Sequence, residues 1–208
     1  MATTANTEFR GTDDLYIAQI TKDDATDYTA GTPKKLAPTA EISRTVSNSS
    51  ETHYYSNVPL IVVTAKGTEQ IVVTTPVIPL ADLGEMLGIY VDTTTGALID
   101  TVADDVYYAI MYRIQKTDGT WRYVVKQKAR LIGPPEEVSQ TRDDGTTTNN
   151  QQLTFECVDT IHCFTNKKSG TDGRTSGFSM DESDNLCDFT SFFTVVQTPD
   201  TISDLVKP

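Results

Sequence analysis

Residues 106–132 read "VYYAIMYRIQKTDGTWRYVVKQKARLI", and their period decides the fold. Aromatic and β-branched residues run through two segments, 106–116 and 120–132, and Asp118-Gly119 between them is a hairpin turn signal. On the second segment Trp121, Tyr123, Val125, Ala129 and Leu131 share one face. Arg122, Lys126, Lys128 and Arg130 share the other, because successive side chains alternate along a strand. The chain is predicted to be built from antiparallel strands.

Upstream, "IVVTTPVIPLADLGEMLGI" (71–89) changes period half-way. "PLIVVTA" (59–65) and "TEQIVVTTPVI" (68–78) read as strands joined by a Lys66-Gly67 turn of hairpin length. From Pro79 the leucines recur at helical spacing, which predicts one short helix at about 79–88. Pro79 suits its first turn, Leu80, Leu83 and Leu87 form one stripe, and Gly88 lies past its end. So short a helix is marginal alone and is expected to cover the open end or face of a sheet.

The remaining segments follow the same logic. Residues 1–14 read as an N-terminal arm, 15–20 as a short strand, and 34–42 as a strand that Pro38 confines to an edge or bulge. "SRTVSNSSETHYYSN" (43–57) is polar without a usable period and is read as a long loop carrying Thr52, His53, Tyr54 and Tyr55. A small hairpin or loop is expected at 90–100 and a second long polar loop at 133–150. Residues 151–164 read as a last core strand with Leu153, Phe155, Cys157 and Ile161 aligned. Residues 165–188 are rich in Gly, Ser and Asp and read as mobile, and the apolar knot "FTSFFTVV" (189–196) suggests that the C-terminal arm docks. The expected fold is mainly β, a β-sandwich or open barrel over 15–164 with one flanking helix and long polar loops.

Composition narrows the function. Among 208 residues, 29 acidic and 17 basic side chains give a net charge of −12. That balance opposes tight wrapping of nucleic acid, which needs clustered cations to displace counterions. No apolar run approaches the ~20 residues of a membrane span, and the N-terminal stretch lacks the pattern of a secretion signal. The three cysteines, Cys157, Cys163 and Cys187, lack metal-type spacing and read as thiols of a reducing compartment, so synthesis in a cytosol is expected.

Catalytic signatures are weak. Only His53 and His162 are available as imidazoles. "GTPKK" lacks the glycine spacing of a phosphate loop, and "DESDNLCDF" (181–189) has Leu186 where a calcium loop needs glycine. The acidic pairs, such as Asp23-Asp24 and Asp104-Asp105, fall mostly in turns where solvation explains them. No cofactor, metal or catalytic residue is expected. The basic stripe reads either as a solvated strand face or as a surface that meets acidic turns of a neighbouring copy.

In order along the chain, "GTDDLYIAQITKDDATDYTAGTPKKLAPTAEIS", "SSETHYY", "PLADLGEMLG", "YYAIMYRIQKTDGTWRYVVKQKARL", "PPEE" and "LTFECVDTIHCF" resemble the major tail proteins of long, non-contractile phage tails. The type is common in phages and prophages of Gram-positive bacteria. The likeness runs from about Gly11 to Phe164, and "FFTVVQTPD" (192–200) adds to it. The resemblance implies a tail-tube subunit that closes into hexameric rings stacked around a tape-measure protein. Its other partners would be tail terminator and distal tail proteins, and double-stranded DNA would pass through without being bound. It implies a location in the virion tail after synthesis in the bacterial cytoplasm. Contact candidates are Phe9, Thr52, His53, Tyr54, Tyr55, the basic stripe, Phe192 and Phe193, with Leu80, Leu83 and Leu87 packing the helix onto the outer face of the sheets. The competing readings are an adhesion-type β-sandwich binding module, a tail connector or distal tail subunit sharing the tube fold, and a β-barrel enzyme.

Overall fold

The computed structural model describes residues 7–65, 67–137, 150–165 and 173–207. Parts of three predicted segments, the arm 1–14, the loop 133–150 and the stretch 165–188, lie outside the described residues. The strands are β1 (Phe9–Thr12), β2 (Leu15–Asp23), β3 (Tyr28–Ala30), β4 (Lys34–Ala37), β5 (Glu41–Val46), β6 (Ser49–Tyr55), β7 (Val58–Ala65) and β8 (Glu69–Thr75). After helix α1 (Leu80–Leu87) come β9 (Tyr108–Lys116), β10 (Trp121–Leu131), β11 (Glu136–Glu137), β12 (Gln151–Cys157) and β13 (Gly177–Asp181). Among the described residues the chain is mainly β with one α-helix, as its periodicity predicts.

Antiparallel pairing passes from β2 to β9, β10, β12, β8 and β5 in turn. β4 pairs back onto β2, with Leu15 opposite Ala37 and Ile17 opposite Lys34. Only Pro38, Thr39 and Ala40 separate β4 from β5, so the path of pairing closes into a barrel in which β4 and β5 are halves of one bent strand. The expected strand over 34–42 is thus split at its proline, which has no N–H to give a ladder. The β9–β10 hairpin forms as predicted, with Gly119 at φ 86° and the Asp118 carboxylate accepting the N–H of Thr120 at 2.9 Å.

Side chains from every wall strand fill the interior, among them Leu15, Ile71, Tyr108, Leu131, Leu153 and Phe155. α1 adds Ile78, which precedes it, and its own Leu83, Met86 and Leu87 to that same cluster. The helix therefore closes the barrel interior, which corrects the expectation that it covers the outer face. Leu80 is 51% exposed, so Met86, not Leu80, completes the buried stripe. Gly88 ends the helix at φ 68°, where a Cβ would also lie 2.5 Å from the Asp104 carbonyl oxygen. The Tyr108 hydroxyl donates to the Glu85 carbonyl at 2.9 Å, and burial pushes its phenol up to about 12.

The outer face of β9 and β10 is covered by the C-terminal segment. Met111, Tyr123 and Val125 pack against Phe192 and Leu205. The Tyr123 ring stacks on Phe189 with centroids 4.2 Å apart, and Tyr16 stacks on Phe193 at 4.5 Å. Residues 173–188, expected to be mobile, instead supply β13, which pairs with β10 from Arg122↔Asp181 to Lys126↔Gly177. Gly177 approaches so closely that a Cβ would sit 2.1 Å from the Val125 carbonyl oxygen. The last core strand is shorter than predicted: β12 stops at Cys157, and Ile161 is half exposed.

Candidate assembly surface

β5 and β8 do not end at the barrel wall. Their ladder runs from Glu41↔Thr74 to Val46↔Glu69, continues through a Ser47 N–H to Thr68 carbonyl bond of 3.0 Å, and resumes as β6–β7 from Ser49↔Ala65 to Tyr55↔Val58. The described residues of 41–65 and 67–75 are therefore one long bent ribbon whose inner half is barrel wall and whose outer half is a free-standing arm. At ~3.3 Å per residue, the arm reaches roughly 20 Å from the wall. Its tip is Ser56-Asn57, with φ 52° and 63°, the left-handed pair that a tight hairpin turn requires. Two expectations are corrected here: the segment 43–57 is largely strand instead of loop, and β7 and β8 pair with β6 and β5 instead of forming a hairpin with each other. Lys66 of the expected turn lies outside the described residues.

Every residue of β6 and β7 is exposed. Thr52, His53, Tyr54 and Tyr55 lie on the outer half of β6, so the structure brings these four contact candidates together. Sequence reasoning read Leu60, Ile61, Val62 and Val63 as strand, and on β7 they are 69%, 46%, 61% and 52% exposed. Alternation sends Leu60 and Val62 to one face and Ile61 and Val63 to the other, so both faces are apolar. A lone two-stranded hairpin is at best marginally stable in water, and contiguous exposed apolar surface marks an interaction site.

The basic stripe is not a free face. The Lys126 ammonium lies 2.6 Å from the Glu69 carboxylate with both side chains 4% exposed, and Lys128 lies 2.6 Å from Asp23. Arg122 grips Asp181 through two nitrogens at 2.7 Å each, and Arg130 meets Asp105 at 2.6 Å. All four cations are thus paired within their own chain. The four do not share a face either: a register shift between Lys126 and Ala129, a bulge, switches which side chains face inward and separates Arg122 and Lys126 from Lys128 and Arg130. Before it Tyr123 and Val125 face the C-terminal segment; after it Ala129 and Leu131 face the barrel interior. The uninterrupted alternation assumed from sequence breaks there.

Electrostatics follow these pairs. Burial would raise the Glu69 pKa, but hydrogen bonds from Lys126 and Arg44 outweigh it and hold the carboxyl below its ordinary range. Arg122 lowers Asp181 in the same way, and Asp181 raises Arg122. Cys157 is buried, which pushes its thiol up to about 12 and leaves it unreactive.

Of the remaining candidates, Phe9 is exposed beneath the Arg122 guanidinium, 5.1 Å from its ring. Phe192 is fully buried inside its own chain, and Phe193 is half-buried against Tyr16. Phe192 is therefore corrected from a contact residue to a core residue. Among the described residues no helix is long and apolar enough to cross a membrane, and no group of three His, Cys, Asp or Glu side chains could hold a metal ion. Comparison with protein-family models and with curated proteins finds no match to this sequence.

Proposed function

We propose that this chain is a structural subunit that assembles with copies of itself into stacked hexameric rings, the tube of a long phage tail. The observation that carries the reading is the β6–β7 arm, an extended apolar ribbon with open edges and no partner surface among the described residues of its own chain. Main-chain groups at such an edge pair with a further strand, and side chains on both faces lose water when it does. A head-to-tail contact that rotates and closes makes a ring, and unused faces of the ring stack. The ordered resemblance over Gly11 to Phe164 supports the tube in particular.

Charge fits this role. With net −12 and the strand cations neutralised by their own carboxylates, the subunit presents an acidic surface. A bore of that sign repels duplex DNA and removes the counterion release that would make it stick. On this reading the chain makes and breaks no bonds, surrounds a tape-measure protein, meets terminator and distal tail proteins at its ends, and resides in the virion tail. Negative-stain microscopy and sedimentation of the purified protein test it. Rings or tubes are expected, and a monomer at all concentrations would overturn it.

A further inference from the structure

Because arm and barrel share one ribbon, the junction decides where the arm points. Pairing slips by one residue between Val46↔Glu69 and Ser49↔Ala65. There Gly67 crosses Ser47 so closely that a Cβ would sit 1.5 Å from the Ser47 carbonyl oxygen. Just inside the slip, the Glu69 carboxylate takes Arg44 from β5 and Lys126 from β10, the latter at 2.6 Å, with the Ser176 hydroxyl at 3.5 Å. β10 is two strands away along the wall, so this contact spans the barrel end instead of following the ladder.

A two-stranded ribbon twists easily, and its own ladder does not fix its direction. A buried ion pair is a poor source of stability compared with apolar packing, and in some proteins its role is to select one geometry. We infer that Glu69 is a positioning residue that clamps the base of the arm to β10 and gives the arm one direction before any partner arrives. The inference deepens the assembly reading and takes its meaning from it, but its test does not require assembly. Tyr112 from β9 and Cys157 from β12 also face this cluster, and both are kept neutral by burial, so the two cations answer to Glu69.

The test is a distance measurement by electron paramagnetic resonance. Spin labels are placed through non-natural side chains at His53 on the arm and Asp118 on the far hairpin turn, with labelled chains diluted into unlabelled ones. The native protein is expected to give one narrow distance peak, and Glu69→Gln to lose it. Glu69→Gln also strands a buried ammonium, so the double variant Glu69→Gln/Lys126→Met separates stability from direction. Its melting temperature should recover while the distances stay broad. A narrow peak in the double variant, or a broad one in the native protein, overturns the clamp. Distances that behave as expected in a chain that never assembles would leave the clamp standing and remove the tube.

Discussion

Lys128 holds its ammonium 2.6 Å from Asp23, and that same carboxylate accepts the backbone N–H groups of Ile161 and His162 at 3.0 Å. One side chain on β2 therefore ties β10 and the chain after β12 together. Asp23→Ala leaves Lys128, only 12% exposed, without its carboxylate. Breaking a buried pair from one side costs about 3–5 kcal/mol, so urea denaturation should show a loss of that size.

The same residue sets an acid limit. Burial alone would raise Asp23, but Lys128 and the two backbone donors outweigh it and depress its pKa. A folded-state value below the unfolded one gives stabilisation that is complete above the unfolded pKa of ~3.9 and is lost as pH falls through the folded value. Denaturation midpoints measured from pH 6 downward, roughly from neutral into the acid range, should fall for the native chain and fall less steeply for Asp23→Ala, in which Glu69 and Asp181 still titrate.

On the arm, Val62→Lys and Ile61→Asp should act on association alone. Both positions are exposed, so folding stability should change by no more than about 0.5 kcal/mol. Sedimentation should report a smaller species for each variant, while circular dichroism stays unchanged.

Helix positions should separate sharply. Leu83 is 3% exposed inside the barrel cluster, and Leu83→Asp should yield insoluble protein, whereas Leu80→Asp, at a half-exposed position, should fold normally. Soluble expression of the two variants side by side measures this.

Phe192 and Phe193 differ in the same way. Phe192→Ala empties a fully buried site and should cost about 3–5 kcal/mol in chemical denaturation. Phe193→Ala removes a half-buried ring from Tyr16 and should cost less.

What was legible in the sequence follows from where a face is buried. The β9–β10 hairpin announced itself because its residues pack on both sides and its turn carries Asp118-Gly119. The arm did not, because alternation arises only where one face is dry and the other wet, and β6 is wet on both. Its turn, Ser56-Asn57, contains no glycine, while the glycine nearby marks the slip at Gly67 instead of a reversal. The four consecutive apolar residues from Leu60 to Val63 were a signal, since a strand with one wet face would have interrupted them. The bulge at Lys126–Ala129 left no trace in residue type, so the division of the basic stripe between two faces could not be read in advance.

The position of the cover along the chain has a consequence for biosynthesis. Tyr16, Met111, Tyr123 and Val125 are translated well before Phe189, Phe192 and Leu205, which shield them. A ribosome that stalls or terminates in between releases a barrel with one greasy wall open. Such fragments should be captured by chaperones or cleared, so that only chains read through to this late segment reach the fully packed fold.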